Sequence, residues 1–286
     1  MDPNFKYLCL SGGGSKGIAQ LGALEFLSKN GLLQQIEGYS GTSIGSVWAT
    51  LLCCGYTPSE IYTQILTIDL QPSPKEIDFI GILSNYGLIT FHKFNEILRN
   101  IIRKKLDFVP TFRELYKISK KELHITSLNV TQNKVVYFSH KTYPNLDVVD
   151  AIRMSCNLPW IFTKIEFEGD LYTDGGLSDH IPHCVFGKTK NILAICISGK
   201  APELEKFGGF VKYSYSIAFH AIKKLEKYQR DIAGENCFFI DILMEDNQLL
   251  NIIMSKEEKE FLFLKGFNTA KEWKEWLWIE NIAVSS

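Results

Sequence analysis

Gly41-Thr42-Ser43-Ile44-Gly45 constrains the fold of this chain more than any other stretch. It follows the apolar segment Gln35 to Tyr39 and opens into an apolar helical run, Ile44 to Cys54. A strand, a sharp turn and a helix are the local structure these residues predict, with Ser43 at the apex. A turn that tight crowds the backbone so closely that a side chain two residues either side of the apex would clash, which Gly41 and Gly45 avoid. The serine is then held clear of the backbone at the positive end of a helix. That position suits a nucleophile that must develop negative charge. G-x-S-x-G by itself also arises by chance, so its surroundings have to carry the reading.

Upstream, Phe5 to Leu10 reads as a short strand that runs into Ser11-Gly12-Gly13-Gly14-Ser15-Lys16-Gly17. A helix from about Ile18 to Ser28 follows and stops near Gly31. Three readings compete for the glycine run. Gly12, Gly14 and Gly17 spell the G-x-G-x-x-G dinucleotide fingerprint, but the acidic residue expected further on would be Glu37, which precedes the serine turn instead of sitting at a ribose site. A phosphate loop needs its lysine after the last glycine, whereas Lys16 precedes Gly17, so that reading fails. The third is an oxyanion hole, in which a glycine loop at a helix N-terminus offers free backbone N–H groups to a developing negative charge. Taken alone, the loop divides between dinucleotide site and oxyanion hole. Strand, loop, helix, strand and serine turn form a single right-handed βαβ unit, which brings loop and serine to one edge of a sheet. That juxtaposition favours the oxyanion reading, because Ser43 would serve no purpose in a dinucleotide site.

Further along, Thr57-Pro58-Ser59-Glu60 is a helix start, with threonine as cap, proline in first position and glutamate three residues on. Asp69 to Thr90 breaks the pattern with Pro72, Pro74, Gly81 and Gly87 among apolar residues; such a loop either packs over the core or covers a site mouth. Helical spacing returns over Phe91 to Leu106 and Thr111 to Ile118, and a strand pair over Leu123 to Thr131 and Lys134 to Ser139. Asp147 to Ser155 is helical and ends at Asn157-Leu158-Pro159, and a hairpin turns at Glu168-Gly169-Asp170. Ile192 to Ser198 is a buried strand, Val211 to Arg230 a helix, Phe238 to Leu243 a strand, and Ser255 starts a closing helix. Alternating strands and helices predict an α/β sandwich with a mainly parallel sheet, and with no linker or repeat we read one domain. Phe261, Phe263, Phe267, Trp273, Trp276, Leu277 and Trp278 on the closing helix read as core in preference to a membrane anchor.

Composition matters mainly for what it excludes. A net charge near −1 supplies no basic field for nucleic acid. The polar start Met1-Asp2-Pro3-Asn4 does not read as a signal peptide, and no run approaches the ~18 apolar residues of a membrane span. The seven cysteines are odd in number, lack a C-x-x-C pair and show no zinc spacing, which reads as buried, reduced thiols in an intracellular compartment. We therefore expect neither metal nor cofactor.

A serine hydroxyl needs a base. Spacing forces none of His92, His124, His140, His180, His183 and His220 into that role. Asp174, in an Asp174-Gly175-Gly176 turn after a strand, can point into the sheet edge without steric competition, although an ordinary turn aspartate would look the same. The glycine loop, the serine turn and this turn, in that order, resemble the motifs of the patatin-like phospholipases, and Arg153 to Pro159 is similar to that family's helix ending in Ser-x-x-x-Pro. The resemblance covers about Tyr7 to Gly187, taken as a catalytic core over 7–187 that residues 188–286 complete within the same domain. It implies a three-layer α/β/α sandwich, a Ser–Asp dyad without catalytic histidine, and hydrolysis of acyl esters of lipids, commonly phospholipids or acylglycerols, at a membrane or micelle surface. Carried over position by position, it makes Ser43 the nucleophile and Asp174 the base, with the oxyanion hole at Gly12, Gly13 and Gly14. Ser15, Lys16, Gly17, Gly41, Gly45, Gly175 and Gly176 support these motifs, Lys16 by holding the loop. One departure is His180, which stands before Ile181-Pro182 where the family usually has asparagine; it leaves the dyad intact and raises the question of whether a histidine assists. Two other readings remain: a histidine-dependent esterase, which would usually place more strands before its serine turn, and a lipid-binding protein without catalysis.

Overall fold

The computed structural model describes residues 4–68, 82–187, 189, 191–199, 209–244 and 254–285. β1 (Tyr7–Leu10) runs through a tight turn (Gly14–Gly17) into α1 (Ile18–Lys29), and β2 (Gly38–Thr42) runs into α2 (Ile44–Cys53), followed by α3 (Pro58–Thr67). Next come α4 (Ile82–Asn85), β3 (Gly87–Ile89), α5 (His92–Leu106), α6 (Phe112–Ser119), β4 (Glu122–Asn129), β5 (Lys134–Phe138) and α7 (Val148–Ser155). β6 (Trp160–Phe162), β7 (Ile165–Phe167), β8 (Asp170–Asp174), β9 (Ile192–Gly199), α8 (Gly209–Ala233), β10 (Cys237–Met244) and α9 (Lys256–Ser285) complete the described chain.

In the main sheet β10, β9, β1, β2 and β4 are parallel neighbours in that order, while β5, β8 and β7 are antiparallel additions beyond them. The run Ile192 to Ile197 has no polar residue because β9 is covered on both faces. Its alternation separates two cores: Leu193 and Ile195 join Leu8, Leu10, Ile240 and Ile242 on one face, and Ile192, Ala194 and Cys196 join Cys9 and Cys237 on the other. The result is the expected three-layer α/β/α sandwich with a mainly parallel central sheet.

Several boundaries differ from expectation. β2 lies three residues later than the predicted Gln35–Tyr39, so strand and serine turn are continuous. Gly38 and Gly41 weakened its strand signal, yet every residue of β2 is buried. The proposed cover over Asp69 to Thr90 lies outside the described residues as far as 81; its end is regular, with β3 pairing in parallel with β6 in a second small sheet. Strands of three residues are too short to show an alternating pattern. The cap at Thr57 forms a reciprocal box with Glu60, and Thr111 with Glu114 and Ser255 with Glu258 repeat it.

α9 divides the aromatic residues assigned to it. Phe263 stacks on Tyr62 and Phe267 meets Phe26 edge-on, whereas Phe261 and Trp276 are exposed; the side chain of Trp278 lies outside the description. α1 and α9 touch backbone to backbone through Gly22 and Gly266: a Cβ on Gly22 would lie 1.8 Å from the Phe263 carbonyl oxygen, and one on Gly266 1.7 Å from that of Ala19. Six of the cysteines are buried free thiols as expected, but Cys184 is exposed, because it lies in a surface turn beside Tyr137 and Asp179.

Candidate active site

β4 aligns the site. Along one edge it pairs with β5 from Ile125 to Asn129, so the strands sharing those residues must lie along the other edge. There β2 covers Glu122 to Thr126 in parallel, and β8 covers Ser127 to Asn129 from the opposite direction. The C-terminal ends of β2 and β8 therefore meet: Thr42 stands opposite Thr126 and Asp174 opposite Ser127. Ser43 and Asp174, about 130 residues apart in sequence, are brought together by adjacent positions on a single strand.

Ser43 has φ 54° and ψ −128°, a strained conformation for a residue with a Cβ. Both flanking glycines are needed to hold it: a Cβ on Gly41 would lie 2.4 Å from the Gly45 carbonyl oxygen, and one on Gly45 2.3 Å from that of Leu10. Although Ser43 occupies the N-cap position of α2, its hydroxyl makes no capping bond, which leaves the oxygen for chemistry. The Ser43 N–H donates to Ser155 Oγ at 2.9 Å, and Ser46 Oγ donates to the Ser43 carbonyl at 2.6 Å.

The end of α7 supports both partners. Besides Ser155 beneath Ser43, the Asn157 carbonyl accepts the Asp174 N–H at 3.0 Å and Thr173 Oγ1 at 2.8 Å. Arg153, buried and lying over the Phe91 ring, donates to Asn157 Oδ1 at 2.6 Å and to the Thr163 carbonyl at 2.7 Å. This is why Arg153 to Pro159 carries a motif without supplying a reacting group. Replacing Ser155 by alanine strands the buried Ser43 N–H; we expect a loss of about 1–3 kcal/mol in denaturant unfolding, with a fall in kcat.

Asp174 is buried. Its Oδ1 accepts the Gly176 N–H at 2.8 Å, and Oδ2 has no hydrogen-bond partner among the described residues. Burial pushes the carboxyl up to about 6, opposed by the nearby Ser43 hydroxyl and the Gly176 N–H. The Ser43 hydroxyl thus lies close enough to the Asp174 carboxyl to favour its ionised form. Gly175 and Gly176 turn the chain after Asp174, and Asp179 ties the following loop down. The Asp179 carbonyl accepts Thr42 Oγ1, and its carboxylate accepts Tyr137 and Gln229.

The glycine loop lies alongside. Ser11 is its anchor, taking the Ile197 N–H on Oγ and donating its own N–H to Ile195, while Gln20 Nε2 bonds the Ser11 and Ile195 carbonyls. The N–H groups of Gly12, Gly13 and Gly14 have no partner among the described residues. The Lys16 N–H closes the turn onto the Gly13 carbonyl, the Lys16 side chain is buried, and Ser15 is half-buried. Gly17 packs against Ile44 and accepts from Trp48 Nε1, joining the loop to the serine helix.

Gly12 to Gly14, Ser43, Asp174 and Gly176 line one narrow cleft that opens to solvent. Leu158, Ile197, Phe219 and Ile222 add apolar lining, and Lys223 and Glu226 add charged groups. His180 is the histidine in the cleft lining. His183 instead bonds the Gln229 carbonyl, and His124 bonds Glu122. Sequence reasoning missed Ser11, Gln20 and Asp179, whose roles depend on contacts distant in sequence. Among the described residues no cluster of side chains suits a metal ion, and no helix is long and apolar enough to cross a membrane.

Comparison with known proteins identifies the family and the fold. A family model for patatin-like phospholipase matches residues 8–185. The chain is 28% identical to uncharacterized protein R571 of Acanthamoeba polyphaga mimivirus, over 95% of this chain and 94% of that one. It is 32% identical to probable lipid hydrolase 463L of Invertebrate iridescent virus 6, over 62% of each. Among solved structures, VipD from Legionella pneumophila superposes with a TM-score of 0.63 at 17% identity, covering 94% of this chain and 66% of that chain. The chain thus spans nearly all of the mimivirus relative but less than two thirds of the other two. The class these comparisons define, on an α/β/α fold, is lipid acyl hydrolase. The chain belongs to the patatin-like phospholipase family.

Proposed function

We propose that the chain hydrolyses fatty-acyl esters of phospholipids or related lipids through a Ser43–Asp174 dyad. The observation that carries this reading is the meeting of β2 and β8 on one edge of β4, which sets Ser43 beside a buried carboxylate with a free oxygen. Ionised Asp174 takes the Ser43 proton as Oγ attacks the ester carbonyl. The N–H groups of Gly12, Gly13 and Gly14 receive the oxyanion. Asp174 then protonates the departing alcohol, and water hydrolyses the acyl-Ser43 ester by the same steps in reverse. Leu158, Ile197, Phe219 and Ile222 suit an acyl chain, which favours a lipid drawn from a membrane or micelle surface.

We read residues 7–187 as the catalytic core and 188–286 as its completion, since β9 and β10 extend the same sheet. All seven cysteines are free thiols, which suits the reducing interior of a cell. Mass spectrometry of products from a mixed lipid extract tests the activity. Released fatty acid is expected with the native protein and none above background with Ser43→Ala; equal release from both would refute the reading.

The raised carboxyl gives a pH signature. Asp174 acts as base only when ionised, so kcat/KM should rise with pH and reach half its maximum near about 6. Stability runs the other way. The folded group holds its proton from about 4 up to about 6, where the unfolded group has lost it, so the stability present at low pH declines as pH rises through that window. The difference is on the order of 3 kcal/mol. Comparing the denaturant midpoints of the native protein and Asp174→Asn across this range isolates the effect: their gap should widen in favour of the variant as pH rises.

A further inference from the structure

His180 has no part in the scheme above, yet it is placed among the reacting groups. It is 8% exposed, and its Nδ1 has no hydrogen-bond partner among the described residues. Of the cleft-lining side chains, Asp174, through Oδ2, is the other with a buried and unpartnered polar atom. A Cβ built on Gly176 would lie 3.0 Å from Asp174 Oδ1 and 3.3 Å from His180 Nδ1. One built on Gly12 would lie 3.2 Å from the same Nδ1 and 3.4 Å from Ser43 Cβ. Nδ1 and the Asp174 carboxyl therefore border one small space, against the loop beside Ser43. Unpartnered buried polar atoms are rare in folded proteins, and two on side chains that line one cleft call for an explanation.

We propose that His180 Nδ1 and Asp174 Oδ2 together hold the water that deacylates Ser43. This rests on the dyad reading. Water has two O–H groups to donate and two lone pairs on its oxygen. With one O–H on Asp174 Oδ2 and the other on His180 Nδ1, the oxygen is fixed so that a lone pair is directed at the acyl carbon. Asp174 takes the first proton as the new C–O bond forms, while His180 accepts a hydrogen bond and stays neutral. The tetrahedral oxyanion then collapses, the bond from the acyl carbon to Ser43 Oγ breaks, and Oγ recovers the proton from Asp174 as the fatty acid leaves.

The role needs an imidazole with its proton on Nε2 and a lone pair on Nδ1. Burial pushes His180 down to about 4; the charge of Glu226 opposes this, while Lys223 and Arg230 reinforce it. The ring thus stays neutral wherever Asp174 is ionised. Acylation has no need of His180, because the attacking oxygen is Ser43 Oγ. An alcohol acceptor has a single O–H and can use Asp174 alone, so the second bond favours water over alcohols.

A chromogenic acyl ester, with and without a short-chain alcohol, tests this in His180→Leu, His180→Phe and His180→Asn. The apolar variants should show a burst of one leaving group per chain and then turnover slowed about tenfold, the worth of one hydrogen bond in a transition state. Their partition should shift about tenfold towards the alkyl ester. Asparagine keeps an accepting oxygen and should stay near native partition. Fluorophosphonate labelling of Ser43 reports folding: failure of the native protein to label would sink the dyad reading instead. An apolar variant that labels but keeps native partition overturns the His180 proposal. So does an asparagine variant as impaired as the leucine one; if neither apolar variant labels, a shifted partition in His180→Asn decides against it.

Discussion

Replacing Ser43 by alanine is expected to lower ester turnover by at least ~10⁴-fold, with no acyl-enzyme detectable. Asp174→Asn keeps the shape of the side chain but cannot take the proton, and we expect a loss of ~10²–10⁴-fold. The double variant should be no slower than Ser43→Ala, because the two groups act on one proton and their losses do not add. Stability should move in the opposite sense. Alanine inherits φ 54° at this position and gains nothing, but Ser43→Gly releases the backbone strain and should raise stability by about 1 kcal/mol. Kinetics with a soluble ester, paired with denaturant unfolding, read both effects. A stable Ser43→Gly protein that retained turnover would mean that the turn is not built for this oxygen.

The second large effect lies far from the site. Gly266→Val is expected to cost more than about 4 kcal/mol, in the range that only a few mechanisms reach. The added atoms would meet the Ala19 carbonyl at 1.7 Å, and backbone cannot rotate away as a side chain can. α1 carries the glycine loop at its N-terminal end and α9 packs along it, so separating the helices would also shift Gly12 to Gly17. Gly266→Ala should cost less than valine but still more than an exposed helical Gly→Ala, which is normally stabilising by up to about 1 kcal/mol. Guanidinium unfolding of both variants gives the comparison; an alanine variant as stable as the native protein would show that the helices can separate freely.

What was legible in the sequence follows physical range. The serine turn, the cap at Thr57 and the strand Ile192 to Ser198 depend on residues within a few positions of one another, and each forms where its pattern stands. β2 was misplaced because its glycines, required by the crowding of the turn, suppress the apolar signal that marks a strand. β3 and β6 escaped because three residues cannot show alternation and no hairpin turn marks them as Glu168-Gly169-Asp170 marks β7 and β8. The approach of Gly22 to Gly266 gave no sign, since a glycine within a helix looks the same whether it faces solvent or a carbonyl. The site divides in the same way. The serine turn is legible from local turn chemistry, the glycine loop from its place one βαβ unit before that turn, and Asp174 only through the family resemblance. Their meeting depends on β8 running back along the edge of β4 that β2 already occupies, a pairing between distant segments. Ser155 and Asn157 matter through bonds to residues 43 and 174 that no spacing rule links.

The most direct test of the central claim, a serine–aspartate dyad without a histidine base, is the rate and site of fluorophosphonate labelling followed by peptide mapping. We expect one label per native chain, on Ser43, and similar labelling in single variants of His180, His183 and His220. Labelling should slow by at least ~10²-fold in Asp174→Asn. Native-rate labelling of Asp174→Asn, together with loss of label in any one histidine variant, would contradict the dyad and move the base to that histidine.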